Sequence, residues 1–189
     1  MKLYQKWILA GVVLGTIVLS PHKSLAAAVG ELSVTGSYSK SNLGNNAYST
    51  SRRYMAALGV NLTSVTEIEL SYTDTKSFFN YDPVQTTTVT EQALSLSLIQ
   101  SLVPSSWIFQ PYVKVGGAQY NRQQSGTISG VPTTPTESKS PSAVLGGGVR
   151  IYLLMNFSLE VEGVTFLPDM KISQAKDNFS ATGGVSWHF

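Results

Sequence analysis

The chain has 189 residues, enough for one domain with a single core but too few for a second core of similar size. It contains no cysteine, which excludes disulfide bonds, thiolate metal sites and a cysteine nucleophile. Its 13 basic and 11 acidic residues form no basic block, so nucleic acid is not an expected partner.

The N-terminal segment, 1–28, has the three-part layout of a secretory signal peptide. A short stretch with two lysines precedes the uncharged apolar run 7–19, and small residues follow at 24–28. The run is too short for a comfortable helical span, which needs about 20 residues. We predict cleavage after Ala26 or Ala28 and a mature domain over 29–189. Cleavage leaves 10 basic residues against 11 acidic ones, close to neutrality.

Beyond this segment, apolar and polar side chains alternate with a period of two, which predicts β-strands. The eight predicted strands are 32–40, 53–62, 67–75, one that ends at 94–98, 107–120, 143–153, one that begins at 157, and 178–189. Polar stretches predict long loops at 41–51, 76–88, 121–142 and 167–177, and the other three connections are short turns. We expect the longest loop to be mobile because it has no apolar pattern.

The closing strand, 178–189, shows most clearly which fold this alternation favours. One face is apolar and the other is polar or small, as in a wall between lipid and a polar interior. Strand edges cannot persist in hydrocarbon, so the sheet must close. The sequence therefore predicts an all-β fold, an eight-stranded antiparallel up-and-down transmembrane β-barrel. An even strand count puts both termini on the short-turn side, which is periplasmic in outer-membrane barrels.

Aromatic residues of the lipid-facing parity fall at two levels. Near the long loops lie Tyr38, Tyr54, Tyr72 and Phe179, and near the short turns lie Trp107, Phe109, Phe157, Trp187 and Phe189. Two aromatic girdles are expected where a barrel crosses the two membrane interfaces. The alternative, a soluble β-sandwich or lipocalin-like binder, would place its large apolar side chains inside and would need no such girdles.

The chain end carries a motif with a family resemblance. Thr182, Gly184, Trp187 and Phe189 resemble the C-terminal signal read by the barrel assembly machinery. With the eight strands and the signal peptide, the chain resembles the small OmpA-like, OmpX-like and opacity-type porin-like barrels. The resemblance implies a Gram-negative outer membrane, lipopolysaccharide and other lipid as surroundings, and periplasmic chaperones as partners in biogenesis. Because the sequence ends at Phe189, we expect no peptidoglycan-binding domain.

Charged residues on the inward parity raise the question of conduction. They are Arg53, Glu67, Glu69, Glu91, Lys114, Arg150, Glu160 and Glu162. Arg150 and Glu160 flank a short turn symmetrically, which predicts a direct cross-strand pair. A barrel of eight strands is filled by side chains, and buried charges persist when paired, so we expect a plugged interior. The alternative is a narrow, weakly cation-preferring passive pore lined by excess carboxylate.

Catalysis and metal binding have little support in the sequence. Lipid-modifying chemistry needs a general base beside a nucleophile. Of the two histidines, His22 leaves with the signal peptide, and His188 with Ser186 lacks a third group to orient it. We therefore predict no enzyme activity, no cofactor and no metal site.

The remaining hypothesis is surface interaction through the long loops. Phe78, Phe79 and Tyr81 beside Pro83 predict an aromatic contact patch for an extracellular ligand, or rings that pack on the barrel rim. The function predicted from the sequence is therefore a non-enzymatic outer-membrane barrel with structural or surface-interaction duty.

Overall fold

The computed structural model describes residues 30–44, 47–82, 85–154, 156–175 and 178–189. The strands are β1 (Gly30–Gly44), β2 (Ala47–Asn61), β3 (Thr66–Asp82), β4 (Gln85–Ser101), β5 (Phe109–Ile128), the two-residue β6 (Val131–Pro132), β7 (Thr136–Leu154), β8 (Phe157–Pro168) and β9 (Phe179–His188). One turn of 3₁₀-helix, Ile172–Gln174, lies between β8 and β9. No helix in these residues is long and apolar enough to cross a membrane. The predicted signal peptide and its cleavage sites lie outside them.

The eight long strands form one closed antiparallel sheet. Each pairs with its neighbours along the chain, β5 pairs with β7 past the short β6, and β9 pairs with β1. The closing register places Glu31 opposite His188 and Gly36 opposite Gly183. The predicted eight-stranded up-and-down barrel, closed by the last strand against the first, is confirmed.

The wall of the barrel has the polarity of a membrane protein. On β3, Ile68, Leu70 and Tyr72 are exposed on the outside, whereas Glu67 and Glu69 are buried inside. A soluble barrel would show the opposite arrangement, because its apolar side chains would have to leave water. The same alternation runs through the other strands in the half of the barrel nearer the chain ends. A continuous apolar band therefore faces outward there.

Three of the predicted long loops are wrong. Most residues of 41–51, 76–88 and 121–142 belong to strands, which continue in register far beyond the apolar band. On β5 the outward side chains change from Val113 and Val115 to Gln119, Asn121 and Gln123, while the hydrogen-bonded ladder continues. A membrane crossing needs only about 9–11 residues. The pattern therefore ends at the membrane surface, and the strands overhang it as paired ribbons.

The overhanging rim is uneven. The ladder between β1 and β9 ends at Gly36 and Gly183, and the ladder between β7 and β8 ends at Ser142 and Pro168. Beyond these rows the sheet runs from β1 through β2, β3, β4 and β5 to β7 without closing. The segment between β8 and β9, predicted as a loop, remains a connection with its 3₁₀ turn.

Candidate functional site

The barrel interior on the short-turn side is filled by ionic side chains. Of the eight predicted interior charges, Arg53, Glu67, Glu69, Lys114, Arg150, Glu160 and Glu162 are buried. Glu91 is partly exposed, with 20% of its side-chain surface accessible. Glu31, which the sequence analysis missed, is also buried.

Arg150 is the centre of a first cluster. Its Nη1 lies 2.7 Å from Glu67 Oε2 and 3.0 Å from Glu31 Oε2. Its Nε lies 3.6 Å from Glu160 Oε1, and the two residues are directly opposed on β7 and β8, the pairing predicted from the sequence. One guanidinium thus lies within 4.0 Å of three carboxylates from three strands, with its two shortest contacts both made by Nη1.

Lys114 holds a second cluster beside the first. Its Nζ lies 2.8 Å from Glu69 Oε1 and 3.0 Å from Glu162 Oε2. Tyr112 Oη joins the two clusters, at 2.5 Å from Glu160 Oε1 and 2.9 Å from Glu162 Oε2. Gly148 makes room for this ring, since a Cβ there would lie 2.7 Å from Tyr112 Oη.

A third arrangement lies at the end of β9. His188 Nε2 is 2.9 Å from Ser158 Oγ, and His188 Nδ1 is 3.4 Å from Glu31 Oε2. The order serine, histidine, carboxylate is that of a hydrolytic triad. Ser158, however, has 0% of its surface exposed, so its Oγ is closed to a substrate. Ser186, the serine paired with His188 in the sequence pattern, has another partner, because its Oγ donates to Glu160 Oε2 at 3.2 Å.

An apolar layer lies inside the barrel above the ionic clusters. It is built from inward side chains of four strands, which are Ala93, Tyr120, Val144, Val164 and Phe166. This layer differs from the sequence prediction, which places polar side chains on the inner face. The layer packs apolar side chains along one wall of the interior, next to the ionic clusters.

A cavity of about 560 Å³ opens on the other side of this layer, between the overhanging parts of β1–β3 and the start of β9. We call it the vestibule. Hydroxyl groups dominate its polar lining, contributed by Ser37, Ser39, Ser49, Thr50, Ser51, Thr75, Ser77 and Ser180. Arg53 and Glu91 are its charged residues, and Phe79 lies at its rim.

Arg53 forms the floor of the vestibule and is only 7% exposed. Its Nε donates to Thr75 Oγ1 at 2.9 Å, its Nη1 donates to Ser180 Oγ, and its guanidinium lies 5.6 Å from the Phe166 ring. In the described part of the chain, no carboxylate oxygen lies within 4.0 Å of it. Glu91 pairs instead with Arg122, at 3.7 Å.

The predicted aromatic patch does not form. Phe78, Phe79 and Tyr81 lie in β3 and not in a loop. Phe78 therefore points outward, where its ring is 6.1 Å from that of Tyr48. Phe79 and Tyr81 point to the other face, stacked at 5.9 Å with 5° between their planes. Adjacent residues of a strand cannot share a face, so one patch of three rings is excluded.

Among the described residues, no group of three or more His, Cys, Asp or Glu side chains is arranged to hold a metal ion. The carboxylates that do approach one another share arginine, lysine and tyrosine partners.

The closed sheet, its inverted polarity and its exposed aromatic rings define an eight-stranded β-barrel of the outer-membrane type. The chain matches the family model described as the OprF membrane domain over residues 1–189, and it belongs to that family. It is thus an outer-membrane β-barrel.

Solved structures share this fold at low sequence identity. The N-terminal β-barrel domain of Pseudomonas aeruginosa OprF superposes with a TM-score of 0.57 at 19% identity, over 85% of this chain and 96% of that one. Neisserial surface protein A gives 0.52 at 15%, over 85% and 97%. Ail, the attachment invasion locus protein of Yersinia pestis, in complex with the heparin analogue sucrose octasulfate gives 0.50 at 12%, over 85% and 99%. A comparison with curated protein sequences gave no match.

Replacing Arg150 with methionine removes the cation that Glu31, Glu67 and Glu160 share. We expect the free energy of unfolding to fall by about 3–5 kcal/mol, because three buried carboxylates lose their partner. Urea unfolding in lipid vesicles, followed by tryptophan fluorescence, measures this. As control, Lys139→Met breaks an exposed ion pair with Glu137 and should cost at most about 1 kcal/mol. Equal small effects would contradict the stabilising role of the cluster.

Proposed function

We propose that the protein is a non-enzymatic outer-membrane barrel that binds an anionic, polyhydroxylated small molecule, such as an acidic sugar, in the vestibule. The observation that carries this proposal is Arg53, a buried cation at the floor of an open cavity with no carboxylate oxygen within 4.0 Å among the described residues. Conduction is not the function that this geometry favours, because the apolar layer and the ionic clusters lie directly beneath.

The lining of the vestibule defines the ligand class. A buried guanidinium attracts a carboxylate, phosphate or sulfate group. The surrounding serine and threonine hydroxyls both donate and accept hydrogen bonds, which suits the hydroxyl groups of a sugar. Phe79, stacked on Tyr81, adds a flat apolar face at the rim. The volume of about 560 Å³ falls in the usual range for small-molecule sites and exceeds the needs of a bare inorganic ion.

Charge around the vestibule supports the same ligand class. Glu91 alone would repel an anion, but its carboxylate is paired with Arg122. The vestibule thus has two cations nearby, Arg53 and Arg122, and one carboxylate, Glu91. Arg53, which forms no salt bridge within 4.0 Å with a described residue, is the more deeply buried of the two cations. A buried charge interacts more strongly with a ligand than an exposed one, because less water screens it.

The orientation of the barrel belongs to this proposal. Outer-membrane barrels place short turns in the periplasm and longer connections outside. At one end the connections after β2, β4 and β7 follow the apolar band directly, whereas at the other end the hairpins overhang it. We therefore place both chain ends in the periplasm and the vestibule at the extracellular surface. The heparin analogue in the Ail complex shows a sulfated sugar bound by a protein of the same fold, which supports an anionic sugar here.

Binding of glucuronate tests the proposal. We expect wild-type protein in detergent micelles at low salt to bind glucuronate measurably better than neutral glucose by isothermal titration. Arg53→Gln should weaken glucuronate binding at least tenfold, roughly what the loss of one charge-assisted hydrogen bond predicts. Lys139→Gln, which removes an exposed cation that does not line the vestibule, should leave it unchanged. Equal affinity of wild type and Arg53→Gln, or of glucuronate and glucose, would refute the proposal.

The alternative function is a narrow cation-preferring pore. Its support is the charge balance of the two clusters, where five carboxylates share Arg150 and Lys114. Excess carboxylate along an aqueous path favours cations.

Planar-bilayer recording distinguishes the two functions. We expect no reproducible open steps from the intact protein, because packed side chains fill the bore of an eight-stranded barrel. Phe166→Ala, which thins the apolar layer, should remain silent as well, since the Arg150 cluster still lies beneath. Regular steps with cation selectivity from the wild type would establish the pore.

We further propose that Thr182, Gly184, Trp187 and Phe189 are the signal for the barrel assembly machinery, reached with the help of periplasmic chaperones. The rings of Trp187 and Phe189 lie 4.9 Å apart at the short-turn end. Such a signal acts in cells and is not needed for spontaneous refolding.

The double variant Trp187→Ala, Phe189→Ala should lose most of the heat-modifiable folded species in the outer-membrane fraction of cells. The same variant should still refold into lipid vesicles in vitro. Phe109→Ala removes an exposed ring near the same end without touching the motif and is the matched control. Normal assembly of the double variant in cells would show that these residues are not the signal.

A further inference from the structure

Three exposed cations lie together on the outer surface of the barrel, Lys40 on β1, Arg52 on β2 and Lys76 on β3. Arg52 is directly opposite Lys76 in the ladder, and on its other side it is opposite Tyr38. Lys40 is the next outward residue after Tyr38. We call these three side chains the basic row.

The basic row forms no salt bridge within 4.0 Å with any other residue in the described part of the chain. The other exposed basic residues described, Arg122, Lys139 and Lys171, each pair with a carboxylate. No such pair reaches the basic row, although Asp74 lies one row below Lys76 on the same face. Like charges directly opposite in a sheet destabilise it. An anion from the surroundings would remove that repulsion.

The height of the basic row indicates which surroundings it meets. Along β2 the outward residues run from Arg52 through Tyr54 to Leu58 and Val60, so the cation comes directly above the aromatic level and the apolar band. At a rise of about 3.3 Å per residue, Arg52 lies about 7 Å beyond Tyr54 along the strand. Aromatic rings mark the interface at headgroup level, and the next layer outward contains the charged headgroups.

We propose that the basic row binds the phosphate groups of the phosphorylated glycolipid in the leaflet around it, the lipid A part of lipopolysaccharide. Arg52 would take one phosphate through two N–H donors, while Lys76 and Lys40 act as point charges beside it. Lys40 is held from the side away from the apolar band, since its Nζ lies 5.5 Å from the Tyr48 ring and Tyr48 pairs with Asn42, farther toward the tip of β1. The inference rests on the orientation in the proposed function, which places this end outside, and is independent of the vestibule.

The test uses folded protein in detergent micelles titrated with diphosphoryl lipid A, with thermal unfolding as the readout. We expect wild type to be stabilised and the triple variant Lys40→Gln, Arg52→Gln, Lys76→Gln to need at least tenfold more lipid for the same shift. Without lipid A the triple variant should be as stable as wild type or more so, because the repulsion is gone. A variant that loses the response to lipid A but keeps its stability without lipid identifies a binding role, because a purely structural role would lower the stability in both conditions.

The controls identify the ligand and keep the result decisive. Lys139→Gln, Lys171→Gln removes exposed cations that already have acidic partners and should behave as wild type. Dephosphorylated lipid A, phosphatidylglycerol and free phosphate at equal charge should stabilise far less. If the triple variant responds like wild type, or if any of these three substitutes equally well, the proposal is wrong.

If the triple variant fails to fold, Arg52→Gln alone is tested in the same way, with a threefold or larger loss expected. Glucuronate binding by the same variants should not change, so failure here is distinct from failure of the vestibule proposal.

Discussion

The structure depends on one constraint, that hydrocarbon offers no hydrogen-bond partner to the backbone. Every N–H and C=O at membrane depth must pair within the protein, and a closed ladder from β1 to β9 and back to β1 achieves this. Closure with eight strands leaves a bore only as wide as the side chains that fill it. The polar residues of each strand must therefore face inward, where the buried charges of Arg150 and Lys114 lie beside carboxylates.

The interior is layered according to its distance from water. At the short-turn half, Arg150 and Lys114 gather carboxylates from opposite walls, so each charge that loses water gains a partner. Next comes the apolar layer around Val144 and Phe166, which needs no partners at all. Only above it does the bore widen into the vestibule with Arg53 at its base. The anion affinity that we propose for Arg53 would arise from this position, where packing excludes water on one side only.

Much of this fold could be predicted from the sequence. A period of two shows which side chains face outward and which face the interior, even when the strand ends are uncertain. The pairing of Arg150 with Glu160 followed from their symmetry about a turn. The predicted strands were too short because the outer face turns polar at the membrane surface. The hydrogen-bonded ladder depends on backbone groups and continues beyond that point. Glu31 was missed because it precedes Leu32, the first apolar residue of the pattern. The vestibule arises from unequal lengths of β1 and β9, which no local pattern records.

The uneven rim has a consequence for how the protein meets other chains. Above the rows where β8 and β9 stop, β1 and β7 have no strand paired on one side in the described part of the chain, although Asp169 N still donates to Pro141 O of β7. Such edges invite strand addition by other polypeptides. On β7 the edge carries Glu137, Lys139 and Pro141, charges and a proline that discourage pairing. The edge of β1, with serines and Asn42, has only Lys40 as protection, and it is the side on which an incoming strand would meet the least resistance.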